Sequence, residues 1–325
     1  MHAITVPAPG DAKSLVFSEV PDVVPARGEV LISVLAAGVN RADIGQRQGN
    51  YPPPAGASPL PGLEVSGSIA AVGPGITGWL VGDRVCALLP GGGYASLAVA
   101  SAAQLLPVPE SVDLVDAAGL PEAVATVWSN VFMTADLRPG ESILVHGGSS
   151  GIGTIAIQMA RALGSLVAVT AGSSEKLAAC ERLGADILIN YRHEDFVDRI
   201  LEATDGRGVD VILDSIGGDY LDRNVRVLAP HGRLANISNL SGTVGQLDVG
   251  LLMRKWISIH GSTLRARPAV EKDEIMASVL ANAWPLIEAG HVVPVIDSRY
   301  PLADAAQAHE RMESSEHIGK LLLIP

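Results

Sequence analysis

Two cysteines, Cys86 and Cys180, are all that 325 residues carry. Two thiols so far apart make neither a disulfide framework nor a zinc ligand set, which points to a reducing compartment. Positive charge is scarce as well. Against 35 Asp and Glu stand 23 Lys and Arg, for a formal charge of −12, and no basic run occurs anywhere. A polyanion needs clustered cations, so nucleic acid is excluded as the main partner. No apolar stretch reaches the roughly 20 residues of a spanning helix, and no charged leader precedes an apolar one. These absences predict a cytoplasmic protein with no membrane partner. There is no internal repeat and no low-complexity tract.

What is present is hydrophobic: 48% of positions are apolar and 18% charged, enough to bury one large core or two moderate ones. The patterning changes near residue 121. Before it, short apolar runs such as "GEVLISVLAAGVN" and "LEVSGSIAAVGPG" are punctuated by Gly and Pro. They predict a mostly antiparallel β domain over 1–121. Over 122–266 strands alternate with helices, with strands at "SILVHG", "LVAVTAG", "DILINY", "VDVILDS", "GRLANIS" and "ISIHGS". That rhythm predicts an α/β, doubly wound parallel sheet of Rossmann type. From 267 two helices and the strand "GKLLLIP" are expected to fold back and complete the first domain.

The turn in "ILVHGGSSGIGTIAIQ" follows the first of the six strands and opens a helix. In such a sheet ligands lie beyond the carboxyl ends of the strands, and this turn lets backbone N–H groups approach a pyrophosphate. Within Gly147–Gly153, the candidate cofactor contacts are Gly148, Ser150, Gly151, Ile152 and Gly153. A lone glycine turn is also what an ordinary tight loop looks like; here the five later strands favour a dinucleotide. At the end of the second strand an NAD enzyme places an acidic residue, whereas this chain has Gly172 and Ser173, with Lys176 a turn later. The small residues leave room for a 2′-phosphate and the ammonium supplies charge. Glu175 is a counter-signal, and a lysine such as Lys176 on an exposed helix face is more often just a solvated charge. Tyr191 offers a phenol at the same edge or half-buried packing. Together these residues favour NADPH.

The stretches "AAGVNRADIGQRQGNYPPPAGASPLPGLEVSG", "LLPGGGYAS", "LPEAVATVW", "HGGSSGIGTIAIQ", "VTAGSSEKL", "ILDSIGG" and "HIGKLLL" span nearly the whole chain. In that order they resemble the zinc-free quinone oxidoreductases, the zeta-crystallin group, of the medium-chain dehydrogenase/reductase superfamily. The resemblance implies a GroES-like catalytic domain discontinuous around a Rossmann domain, NADPH bound in the cleft, and commonly a homodimer. It places Ser215, at the end of the fourth strand beside Asp214, near the nicotinamide ribose; strand-end capping reads these residues equally well. Asn236 and Ser238 would line the cofactor, Lys320 would lie close to it, and Thr126 would face the nicotinamide.

Zinc members of that superfamily hold catalytic zinc with a cysteine and a "GHE" pair. Here Asn40 stands for the cysteine, Leu63 for the histidine of Gly62-Leu63-Glu64, and the four-cysteine lobe is missing. One remaining ligand does not make a zinc site, so no metal residue is assigned. Without a Lewis acid the acceptor must already be electron-poor, which predicts hydride transfer from NADPH to quinones or conjugated enones. Asn40 and Tyr51 are the candidate catalytic residues, donors to the acceptor's oxygen. Helix capping for Asn40 and loop packing for Tyr51 are the alternatives. A cofactor-binding protein without catalysis, crystallin-like, is the other functional class. His146 is expected to anchor the glycine loop, and His193, His309 and His317 to be solvated. The run from Trp256 is expected to be an edge strand that pairs with a second copy.

Overall fold

Fifteen strands carry the sheets: β1 (His2–Thr5), β2 (Val16–Glu19), β3 (Glu29–Val39), β4 (Glu64–Val72), β5 (Arg84–Leu88), β6 (Leu97–Ser101), β7 (Leu105–Pro107), β8 (Ser142–His146), β9 (Leu166–Ala171), β10 (Ile187–Asn190), β11 (Val209–Asp214), β12 (Leu228–Asn236), β13 (Ser258–Gly261), β14 (Ile296–Pro301) and β15 (Lys320–Ile324). The computed structural model describes residues 1–325. The chain divides into two compact units, Met1–Ala125 with Arg265–Pro325, and Thr126–Leu264.

The second unit is the α/β one. Its six strands run in the order β10-β9-β8-β11-β12-β13, every pair parallel. β8 and β11 are buried along their whole length, which is why their centres, Ile143–Val145 and Val211–Leu213, read as unbroken rather than alternating apolar runs. The order reverses at β8 and β11, the switch point at which such sheets take ligands. Leu144, Ile189, Phe196, Ile212 and Leu234 form part of its core. β10 and β13 are the edge strands, and at β13 Ile259 and, just before the strand, Trp256 are exposed.

The first unit is a seven-stranded sheet with the β1–β2 hairpin beside it. β3 is its centre, pairing with β4, β6 and β15, all antiparallel. Its first half alternates buried and open positions, and Ala36–Val39 is buried throughout, so the run ends inside the core. One pairing departs from the expected antiparallel plan. β14 and β15 are parallel, because the helix Ala305–Glu313 intervenes and carries the chain back to the same end. β14, "IDSRYP", has no apolar alternation and is half-buried, so the sequence shows no strand there. No helix is long and apolar enough to cross a membrane.

Candidate active site

In the parallel-sheet unit, β8 ends at a turn whose first glycine, Gly147, has φ +72°, a conformation side chains other than glycine rarely adopt. Ser150 then caps the helix Gly151–Ala162, its hydroxyl accepting from Gly153 N–H at 3.0 Å. A Cβ on Gly153 would stand 2.4 Å from the Gly147 carbonyl oxygen, and one on Gly148 2.8 Å from Val169, so both glycines let turn, helix and sheet close up. A buried network holds the strand ends. Asp214, fully buried, accepts from Ile216 N–H at 2.7 Å and from the amides of Asn224 and Asn236 at 3.2 and 3.1 Å. Since Asn224 spends its N–H on Asp214, its oxygen takes the Nε2–H of His146 at 2.8 Å. His146 Nδ1 therefore accepts from Thr170 at 3.1 Å, and Thr170 Oγ1 accepts from Gly147 N–H at 3.3 Å. Burial holds the His146 pKa down, in keeping with the neutral ring. His146 thus steadies the turn through Thr170 rather than by touching loop backbone itself.

At the ends of β9 and β10, Gly172 lies directly under a phenol. A Cβ there would meet Tyr191 Oη at 2.6 Å and Arg192 Nε at 3.3 Å. Ser173 caps the helix Ser174–Arg182, accepting from Lys176 N–H at 3.3 Å. Gly172, Ser173, Lys176, Tyr191 and Arg192 therefore share one corner, with Tyr191 47% exposed. Arg192 was not singled out from sequence; a guanidinium beside Tyr191 in "NYRHEDF" was the available signal. Ser215 Oγ reaches to 3.5 Å from the His146 carbonyl. Asn236 turns its amide to Asp214, Ser238 is half-buried just beyond β12, and Thr126 is buried with its carbonyl bonded by Asn130 at 2.8 Å.

In the antiparallel unit a cluster forms from β3, β4, β15 and the start of the helix Pro121–Val127. Glu64, on β4 and fully buried, receives Lys320 Nζ at 2.6 Å and the Asn40 amide N–H at 2.9 Å on Oε1, and the Glu122 backbone N–H at 2.8 Å on Oε2. Lys320 Nζ also donates to Asn40 Oδ1 at 2.7 Å and to the Val39 carbonyl at 3.2 Å, which occupies all three ammonium protons. Lys320 is thus committed to Glu64, Asn40 and Val39. Asn40 does stand at the N-cap of the helix Arg41–Arg47, where Asp43 accepts its backbone N–H at 2.8 Å, but its amide belongs to this cluster. Gly38 explains the close fit: a Cβ would sit 2.2 Å from Glu64 Oε1.

A zinc ion does not suit these donors. Leu63 and Asn40 offer no imidazole or thiolate, the Glu64 oxygens are already taken by three donors, and no three His, Cys, Asp or Glu side chains gather elsewhere. The ammonium of Lys320 supplies positive charge to the carboxylate instead.

Next to this cluster lies a second buried chain. Asp43 accepts from Gly62 N–H at 3.0 Å and from Tyr94 Oη–H at 3.1 Å, Tyr94 receives His309 Nε2–H at 3.0 Å, and His309 Nδ1 accepts from Arg47 at 3.3 Å. Arg47 is paired with Glu313 at 2.7 Å. Burial raises Asp43 to about 6, and burial with the neighbouring Arg47 charge lowers His309 to about 3. The expectation that His309 is solvated is therefore corrected: it is fully buried, because its helix turns that side onto Arg47 and Tyr94. Its polar neighbours in sequence face the other way. His193 is exposed, and His317 is half-buried.

Tyr51 is half-buried beneath Arg265, whose guanidinium carbon lies 5.6 Å from the ring centroid. Arg265 also donates to Gln46 Oε1 and the Pro90 carbonyl, each at 2.7 Å, and so ties the loop after Gln46 in place. Glu64, Glu122 and Arg265 were not read as site residues; their partners are far away in sequence.

The alcohol dehydrogenase GroES-like domain family matches residues 26–110, and the zinc-binding dehydrogenase family matches residues 183–323. A quinone oxidoreductase of Pseudomonas aeruginosa is 34% identical over 321 residues, covering 97% of each chain. An NADPH complex of Escherichia coli quinone oxidoreductase is 31% identical, with a TM-score of 0.88 over 100% of both chains. A structure described as an NAD-dependent alcohol dehydrogenase is 30% identical, with a TM-score of 0.89, again over 100% of both. The chain also spans 15% of the length of the phthioceranic/hydroxyphthioceranic acid synthases of Mycobacterium, at 31% identity over 321 residues. The chain belongs to the medium-chain dehydrogenase/reductase superfamily. Its α/β unit is the Rossmann sheet and its antiparallel unit the GroES-like domain, and quinone oxidoreductases are among its homologues.

Proposed function

We propose that this chain is an oxidoreductase carrying hydride from NADPH to quinones or conjugated enones without zinc. The observation that carries the reading is the Glu64 cluster: where a metal would need lone pairs, an ammonium holds the carboxylate, so no Lewis acid polarises the acceptor. An unactivated alcohol or ketone then has no route, whereas a quinone or enone takes hydride into a delocalised π system. The corner at Gly172 supports NADPH over NADH. Gly172 brings no carboxylate, and the place a side chain would take there is held by Tyr191 Oη and Arg192, which with Lys176 offer phenol and cation donors to a 2′-phosphate. The turn Gly147–Gly153 and the capped helix offer backbone N–H groups to the pyrophosphate. Bound there, the cofactor supplies hydride from C4 of its nicotinamide.

Tyr51 is assigned to donate a hydrogen bond to the acceptor's carbonyl oxygen. A phenol with pKa near ~10 is a weak acid at neutral pH but a good donor to developing negative charge, so stabilisation of the oxyanion outweighs proton transfer. Asn40 is held in one orientation by Lys320 and Glu64, with one amide proton given to Glu64. A small-molecule acceptor in a cytoplasmic setting, and a homodimer formed through the β13 edge, complete the reading. The exposed edge strand with Ile259 and Trp256 supports the dimer, which light scattering at micromolar concentration tests against a monomer mass. The test of the function is NADPH oxidation at 340 nm across quinones, enones and simple ketones. Turnover of the first two classes alone is expected, and equal turnover of simple ketones would overturn it.

A further inference from the structure

The cluster around Glu64 contains one carboxyl that the hydrogen-bond network leaves over. Glu64 has both oxygens occupied, Lys320 has spent its three protons, and Asp43 has both oxygens bonded by Asn40, Gly62 and Tyr94. Glu122 is different. Its backbone N–H is fixed to Glu64 Oε2 at 2.8 Å, which sets the first turn of its helix against the cluster, while its carboxyl has no hydrogen-bond partner. The residue as a whole is half-buried.

We propose that Glu122 is the proton donor of the reaction, delivering its carboxyl proton to the α-carbon of an enone as hydride arrives at the β-carbon. This rests on the reductase reading above. The bookkeeping of atoms is complete. Hydride forms the new C–H bond at the β-carbon, the conjugated π pair shifts toward the carbonyl, and the α-carbon takes the proton from Glu122. The cofactor leaves oxidised by two electrons, and water reprotonates the carboxylate. Tyr51 and Glu122 thereby divide the work, the phenol at the oxygen and the carboxyl at the carbon.

The surroundings keep the proton available. Burial, and then the negative charge of Glu64, raise the carboxyl to about 8, with Asp43 adding in the same direction and Lys320 and Arg265 opposing. Lys272, on the helix Ala269–Ser278, is a further charged neighbour; burial lowers its pKa and the charge of Glu122 opposes that shift. At neutral pH the acid form predominates, and it is lost as pH rises through about 8. A quinone has less need of such a donor, since its hydroquinone anion carries charge on oxygen and takes a proton from water.

The test has an arm that needs no cofactor. Infrared difference spectra of the free protein between pH 6.5 and 9.5 should show a protonated carboxyl C=O band that titrates near the upper end and vanishes in Glu122→Gln. Should that variant fold poorly, Glu122→Asp should shift the band instead. With NADPH in D₂O, wild type should deuterate the enone's α-carbon on one face, and Glu122→Gln should scramble that face and lose the alkaline limb of kcat. Its enone turnover should fall by about 100-fold or more, and by a larger factor than its quinone turnover. No titrating band in wild type, or one-faced deuteration and an intact alkaline limb in Glu122→Gln, would overturn the assignment. Failure of wild type to reduce any quinone or enone would instead refute the reductase reading itself.

Discussion

Replacing Lys320 with methionine tests whether an ion pair, rather than a metal, holds the Glu64 carboxylate. Glu64 is fully buried and Lys320 4% exposed, with 2.6 Å between Nζ and Oε1. Lys320→Met leaves the carboxylate with only the Asn40 amide and the Glu122 N–H. Removing one partner of a buried pair costs about 3–5 kcal/mol, since the charge that remains is uncompensated. At about 2–4 °C per kcal/mol for a unit of this size, the calorimetric transition of the antiparallel unit should fall by roughly 6–20 °C. The double variant Lys320→Met/Glu64→Gln removes both charges and should recover most of that loss, to within about 1–2 kcal/mol of wild type. A single variant as stable as wild type, or a double variant no better than the single one, would refute the reasoning.

Three further outcomes are expected. Lys176→Ala should weaken NADPH about ten- to a hundredfold, equivalent to about 1.5–3 kcal/mol, and leave NADH binding unchanged in a fluorescence titration; equal losses would remove Lys176 from the phosphate site. His309, whose pKa burial and then Arg47 lower to about 3, must stay neutral in the fold. Its contribution to stability is complete above the unfolded value of about 6.5 and is lost as pH falls toward 3, so the denaturation midpoint of wild type should fall relative to that of His309→Gln as pH drops through that window. Asp43, raised to about 6 by burial, slopes the other way and is common to both proteins, so their difference isolates His309. Tyr51→Phe should lower turnover modestly with a quinone and more with an enone, with NADPH binding retained; wild-type rates on both acceptors would return Tyr51 to a packing role.

Much of the fold was legible because it is written in short-range pattern. Six apolar runs separated by helical segments imply a parallel sheet, and the glycine turn after the first run marks its ligand end. β14 escaped because "IDSRYP" is half-buried and lacks alternation, so only its pairing with β15 defines it. The candidate site divides the same way. Gly172, Ser173, Lys176 and Tyr191 follow from where strands end. The Glu64 cluster does not, because Asn40, Glu64, Glu122 and Lys320 come from four separate stretches and meet only when β15 pairs with β3 and β3 with β4. Lys320 was placed near the cofactor by resemblance alone, and its bonds to Glu64 and Asn40 appear only in the fold; His309 looked solvated because its sequence neighbours are polar.

The central claim is reduction of activated acceptors without a metal, and it is tested most directly by one measurement: steady-state turnover of chelator-treated protein of known zinc content. The account predicts undiminished NADPH-dependent reduction of quinones and enones at well below one zinc per chain, with no oxidation of simple alcohols by NADP⁺. Stoichiometric zinc whose removal abolishes activity, or alcohol oxidation restored by added zinc, would contradict it.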